Sequence, residues 1–226
     1  MAFRNSLQPS CMTLTLSLHR ISLRELRMKI WDILSPLYDL FETAYNGRCY
    51  KGIAEEIKQH VCENDVVLEC ACGTGLLTLP MAKICKALIA TDYSDGMLKQ
   101  TRKKVGKYAN TKIQKASILD LPFEDDKFDV VVAANVIHLV DDPAKALSEL
   151  KRVCKPGGKL VIPTYINKES KNSMVAAKLL SMLGVDFKRQ FSLESYKAFF
   201  VKHDIPVKEY RIVEGRMPCA FAIIEL

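Results

Sequence analysis

Apolar residues fall into two rhythms along the chain. Near the start, Ile33, Leu34, Leu37, Leu40, Phe41 and Ala44 recur at steps of three and four, the spacing that puts side chains on one face of a helix. The pattern predicts a helix over Trp31–Tyr45, started afresh at Pro36 because proline lacks the amide that continues a turn, and a second helix over Gly47–Val61. Five short apolar runs follow, Val66–Ala71, Ala87–Thr91, Lys112–Ala116, Phe128–Ala134 and Lys159–Thr164, separated by helix-like stretches. Continuous apolar runs of this length read as buried parallel strands, and right-handed crossovers between them lay helices on both faces of one sheet.

After Pro163 the rhythm changes. Ser173–Leu183 and Ser192–Lys202 look helical, the second with Ser192 as a candidate N-cap and Glu194 in its first turn, where an acid suits the helix dipole. Two strand-like runs, Val207–Val213 and Cys219–Ile224, are parted by Glu214–Pro218 and should pair as an antiparallel hairpin with a longer loop. Seven strands in all make an α/β, doubly wound, mostly parallel sheet.

Composition narrows the classes. A chain of 226 residues with 49% hydrophobic and 26% charged residues suits one soluble globular domain. No apolar run approaches the roughly 20 residues that a membrane-crossing helix needs. Eight cysteines are scattered without the paired spacing of a zinc site, so no metal is expected, and a reducing cytoplasm fits them best. The net charge of +7 is spread over lysines rather than gathered in one block, which reads as a solvated surface and not a nucleic-acid or anionic-lipid face. The first 27 residues carry Arg4, Arg20, Arg24 and Arg27 against the single acid Glu25. Residues 1–30 are therefore expected to be a leader or poorly ordered extension, or an overlong gene start ahead of Met28, and residues 31–226 the domain.

The segment richest in chemistry is Val66-Val67-Leu68-Glu69-Cys70-Ala71-Cys72-Gly73-Thr74-Gly75-Leu76: an apolar strand ending in an acid, a turn of small residues, then a helix. Small residues let a ligand approach the backbone, and in a doubly wound sheet the strands' carboxyl ends, at the switch in strand order, are where a cofactor lies. A nicotinamide fingerprint wants a third glycine three residues after the second, and Thr78 stands there instead. Asp92 ends the second apolar run, where an acid can accept both hydroxyls of a ribose. It could equally cap the next helix, a task also open to Ser94 or Asp95. Tyr93 and Met97 stand where they can flank a flat base or serve as core.

With three further segments, this arrangement resembles the class I S-adenosylmethionine-dependent methyltransferases, and among them the small-molecule group that includes the quinone-biosynthesis C-methyltransferases. Glu69-x-Ala71-Cys72-Gly73-Thr74-Gly75 is similar to that family's first motif, with Ala71 where glycine is commoner. Ser117-Ile118-Leu119-Asp120-Leu121-Pro122-Phe123, followed by Asp129, is similar to the third-strand exit, with Ser117 in place of an acid. Ala133-Ala134-Asn135-Val136-Ile137-His138 resembles the fourth-strand exit, and Arg152-Val153-Cys154-Lys155-Pro156-Gly157-Gly158 the turn before the fifth strand. The resemblance spans roughly Ser35–Thr164. It implies a Rossmann-like seven-stranded sheet with a C-terminal antiparallel hairpin and N-terminal lid helices, plus a substrate-side insertion at about residues 165–191.

The resemblance also implies S-adenosyl-L-methionine as cofactor. Ala71, Cys72, Gly73, Thr74 and Gly75 would pass under its amino acid end, with Glu69 near its ammonium. Asp92 would hold the ribose, Tyr93 and Met97 flank the adenine, and Ser117 and Ile118 address its edge. Asn135 closes the site at the fourth-strand exit, and Tyr38, with Asp39, covers it from the lid helix. The implied activity is methyl transfer to a small, partly hydrophobic acceptor, with His138 as candidate general base where the acceptor must lose a proton; the alternative for His138 is a structural hydrogen bonder. Phe41, Tyr45, Met174, Leu179, Met182 and Phe187 are candidates for the acceptor pocket or plain core.

Three rival readings stand beside this one. An RNA methyltransferase would suit the charge, but the proline-rich turn ending in an aromatic is missing after the fourth strand, and no stable nucleic-acid partner is expected. Arsenite as acceptor would need Cys49, Cys154 and Cys219 to gather, which no spacing supports. A non-enzymatic S-adenosylmethionine-binding protein would lack a substrate-sized cavity under the N-terminal helices. The oligomeric state is left open by the sequence.

Overall fold

The computed structural model describes residues 23–167 and 189–226. The helix expected over Ser173–Leu183, and with it Met174, Leu179, Met182 and Phe187, lies outside the described residues. Seven strands form one sheet in the order β3-β2-β1-β4-β5-β7-β6. They are β1 (Val66–Cys70), β2 (Ala87–Asp92), β3 (Thr111–Lys115), β4 (Phe128–Ala133), β5 (Cys154–Tyr165), β6 (Glu209–Val213) and β7 (Cys219–Glu225). Pairings among β1 to β5 are parallel, while β7 runs antiparallel to both β5 and β6. The C-terminal hairpin thus forms as expected, its last strand inserted between β5 and β6. Strand order reverses direction between β1 and β4, so the crevice for a ligand opens at their carboxyl ends.

Apolar residues on both sides of each strand explain the layers. Val67, Val130, Val132 and Val161 enter one buried cluster with Ile53, Ile57 and Met81. Their neighbours Leu68, Val131, Leu160 and Ile162 enter the other, with Leu147, Leu150, Tyr196 and Phe200. Each such side chain contributes about 1.5–3 kcal/mol on burial, so the sheet is stable only when covered on both faces. The covering helices are α1 (Leu23–Lys58), α2 (Thr78–Ala82), α3 (Asp95–Val105), α4 (Pro143–Val153) and α5 (Leu193–Lys202). Ser192 caps α5 in a box with Ser195, and Ser94 caps α3 by accepting the Met97 amide at 3.1 Å. Since Ser94 performs the capping, Asp92 is left for other partners.

The N-terminal region departs from expectation in three ways. Its two helices part at Asn46, where expected, with a non-helical backbone (φ −132°, ψ 23°), but the first begins at Leu23 rather than Trp31. Pro36 starts nothing afresh, because the Ser35 hydroxyl donates to the Asp32 carbonyl at 3.0 Å, the acceptor that the missing Pro36 amide would otherwise leave without a donor. Third, the stripe of Ile33, Leu37 and Leu40 points outward, at 74%, 64% and 69% exposure. The face turned to the domain is polar: Asp32, Asp39, Glu42 and Asn46 all bond to it, and Tyr38 lines the cleft there. The helix is held here by hydrogen bonds and ion pairs, so apolar spacing pointed to the wrong face.

Among the described residues no helix is long and apolar enough to cross a membrane, and no cluster suited to a metal is present. The seven described cysteines are free thiols, six of them buried.

Candidate functional site

A cleft of about 250 Å³ opens at the carboxyl ends of β1, β2 and β4. Its floor is the turn after β1, where Ala71, Gly73 and Gly75 take φ of 54°, 56° and 82°. This left-handed region costs a residue with a β-carbon about 1–2 kcal/mol. Gly73 lines the cleft, and a β-carbon added to it would meet nothing within 4 Å, so the backbone there lies open to a ligand. At Gly75, by contrast, a β-carbon would come within 2.9 Å of the Thr101 side chain; that glycine serves close packing of the turn on α3.

Asp92 forms one wall. Its Oδ2 accepts the Gly73 amide at 2.9 Å and its Oδ1 the Ser94 amide at 2.8 Å. A carboxylate has about four acceptor sites, so each oxygen keeps room for one more donor. Burial raises its pKa, opposed by the Ser94 and Gly73 amides. Tyr93 and Met97 stand beside it, and Ser117, Ile118 and Val136 continue the wall. Ser117 Oγ accepts the Leu119 amide at 3.2 Å, which holds the β3 exit in a tight turn.

Asn135 lines the opposite side, in the left-handed region (φ 51°) that asparagine tolerates better than most residues. Its Oδ1 accepts the Tyr165 amide at 2.9 Å, and its own amide donates to Pro163 at 2.8 Å, tying the β4 exit to β5. Across the mouth lies α1, which contributes Trp31 and Tyr38. It is pinned at both ends of that stretch. Asp32 accepts the Gly96 amide at 2.8 Å and the Ser94 hydroxyl. Asp39 accepts the Thr74 hydroxyl and pairs with Lys104, which also donates to the Thr74 carbonyl at 2.8 Å.

Nine of the residues expected from sequence thus line one cleft: Tyr38, Ala71, Gly73, Asp92, Tyr93, Met97, Ser117, Ile118 and Asn135. Cys72, Thr74 and Gly75 support the floor from behind, Cys72 being buried with Ala90 and Leu98. Glu69 is 1% exposed and accepts the Thr78 hydroxyl at 2.6 Å; burial pushes its carboxyl up to about 8. His138 stands apart from these. It is buried, its pKa is pushed down to about 4 by that burial, and it does not line the cleft.

Sequence reasoning missed Asp32, whose signal is its seven-residue spacing from Asp39 on one helix face. It also missed Trp31, Leu139 and Val140 on the cleft wall, which nothing distinguishes in sequence from core.

Residues 68–162 match a family described as a methyltransferase domain. The chain is 32% identical over 154 residues to a ubiquinone/menaquinone biosynthesis C-methyltransferase of Marinomonas sp. (strain MWYL1), covering 63% of this chain and 60% of the relative. It is 38% identical over 96 residues to a demethylmenaquinone methyltransferase of Clavibacter sepedonicus, covering 42% of this chain and 39% of the relative. The chain therefore spans no more than 60% of the length of either. A SAM-dependent methyltransferase from Thermotoga maritima superposes with a TM-score of 0.68 at 22% identity, covering 87% of this chain and 98% of that one, a likeness of fold. Residues 68–162 thus match a methyltransferase domain, and the chain is similar in sequence to the quinone C-methyltransferases and in fold to S-adenosylmethionine-dependent methyltransferases.

Proposed function

We propose that the protein transfers the methyl group of S-adenosylmethionine to a small, partly apolar acceptor. The observation that carries this reading is Asp92, a buried carboxylate on the cleft wall whose oxygens each bond one backbone amide and keep one further site. Those acceptors fit the hydroxyls of a ribose. The open backbone at Gly73 fits the amino acid end, and the apolar wall of Ile118, Val136 and Leu139 fits a flat base. When bound, the cofactor supplies an electrophilic methyl group, so the difficult chemistry is its own.

The chain's share is positioning, which in well-oriented systems is worth about 7–11 kcal/mol. Asp92 fixes the cofactor's place, and Asp32 and Asp39 hold α1 over the cleft, where Trp31 and Tyr38 exclude water. Asn135 sits where the acceptor would enter, between the β4 exit and Tyr165. A hydroquinone ring is the acceptor class to try first, given the names of the two relatives above; water-soluble amines and thiols are the controls. Incubation with methyl-labelled S-adenosylmethionine and mass detection of product tests this: labelled product with one class supports the reading. Binding of S-adenosylmethionine with no transfer to any class would favour a cofactor-binding protein without enzymatic activity.

A further inference from the structure

One buried acid beside the cleft has no role in the reading above. Glu42 lies one helical turn beyond Tyr38 and is 6% exposed. Its Oε1 accepts the Tyr38 hydroxyl at 3.1 Å and its Oε2 the Tyr165 hydroxyl at 3.0 Å. Both phenols connect it to the cleft: Tyr38 is part of the wall, and the Tyr165 amide is bonded to Asn135. No basic side chain among the described residues pairs with Glu42 or with Glu69, whose carboxyl meets only the Thr78 hydroxyl. Taking a carboxylate out of water without a counter-charge costs several kcal/mol. Neither lines the cleft itself; Glu42 stands behind its wall residue Tyr38, and Glu69 lies in β1 just before the lining residues Ala71 and Gly73, so a cation bound in the cleft could answer both.

S-adenosylmethionine carries two positive centres, a sulfonium and an ammonium. Its demethylated product, S-adenosylhomocysteine, keeps the ammonium and has a neutral thioether. Resting on the proposed cofactor, we propose that Glu42 is a further specificity-determining residue, the carboxylate that answers the sulfonium charge from behind Tyr38, while Glu69 under the glycine turn answers the ammonium. Because burial raises the Glu42 carboxyl, the charge it offers the sulfonium is lost as pH falls, and with it the charged ligand's advantage over the neutral product. The two acids read different charges because they lie on different sides of the site. Glu69 ends β1 below Gly73, whereas Glu42 is joined through Tyr165 to the exits of β4 and β5.

The surroundings favour this coupling. Glu42 faces Tyr38, Asp39 and, past the bend, Cys49 and Tyr50 on α1, with Tyr165 on β5 and Cys219 on β7. All are neutral or acidic, and Lys104, which reaches Asp39 from α3, is paired there. Glu69 faces Asp92, Tyr50, Cys70 and Cys72. Burial raises the Glu42 carboxyl, and the Tyr165 and Tyr38 hydroxyls oppose the rise only in part.

Isothermal titration of S-adenosylmethionine and S-adenosylhomocysteine into the whole chain, between about pH 5 and pH 7, tests the assignment below the range where the ligands' own amino groups titrate. The ratio of the two affinities is expected to rise with pH, approaching about tenfold per unit below the Glu42 pKa, and to be flat in Glu42→Gln. The Glu69→Gln variant should weaken both ligands and keep the slope of their ratio. Binding of S-adenosylhomocysteine by Glu42→Gln within about twofold of wild type serves as its folding control, and the wild-type ratio needs no variant at all. A flat ratio in the wild type, or an unchanged slope in Glu42→Gln, overturns the inference and leaves the cofactor reading intact; absence of binding by either ligand overturns both.

Discussion

The Asp32 carboxylate accepts the Gly96 amide at 2.8 Å, and a β-carbon placed on Gly96 would come within 2.7 Å of the Asp32 Cα. The lid helix therefore rests directly on the backbone of the first turn of α3. Gly96→Ala should push α1 off the cleft, a small-to-large change costing about 1–3 kcal/mol. Trp31, the only tryptophan in the chain, lines the cleft beside Tyr38 at a ring separation of 6.1 Å. Its emission should shift to the red in Gly96→Ala and respond less to added S-adenosylmethionine.

Ser35 supports the same helix from within. With Pro36 unable to donate, Ser35→Ala leaves the Asp32 carbonyl without its 3.0 Å partner, a loss of about 1–3 kcal/mol for a buried group. Hydrogen exchange should rise in α1 around residues 32–42 and stay unchanged in β1.

Ala71 holds a left-handed conformation (φ 54°), a region that favours glycine. Ala71→Gly removes the strain of about 1–2 kcal/mol, offset in part by the greater freedom of glycine in the unfolded chain. A net gain of about 1 kcal/mol or less should appear as a higher denaturation midpoint.

Burial raises the Glu69 carboxyl to about 8. Between its unfolded value of about 4.3 and that point, the folded chain keeps a proton that the unfolded chain has released. Stability is therefore greatest below this window and falls as pH rises through it. Unfolding curves of the ligand-free protein at about pH 5 and pH 8 should show that fall, and Glu69→Gln should reduce it. An equal fall in the variant would assign the slope to another group.

How legible the molecule is depends on which force holds each part. The strands were readable because Val67, Leu68, Val130 and Val131 are apolar toward both layers, and the motif residues Gly73, Asp92 and Asn135 are brought together by a topology that those strands dictate. The lid was misread for the opposite reason. Ile33, Leu37 and Leu40 mark the outer face of α1, while polar contacts from Asp32, Asp39 and Glu42 decide which way it turns, and periodicity weighs only apolar side chains. Glu42 has no local signature; its partner Tyr165 is 123 positions away, a pairing that appears only once β5 is beside α1.

Calorimetric titration of S-adenosylmethionine into the wild type and Asp92→Asn tests the central claim most directly. The wild type should bind saturably at one site, and the variant should bind at least about tenfold more weakly, as expected for loss of a charge-assisted hydrogen bond worth about 1.5–3 kcal/mol. A well-folded wild type that gives neither binding heat nor a change in Trp31 emission would contradict the account.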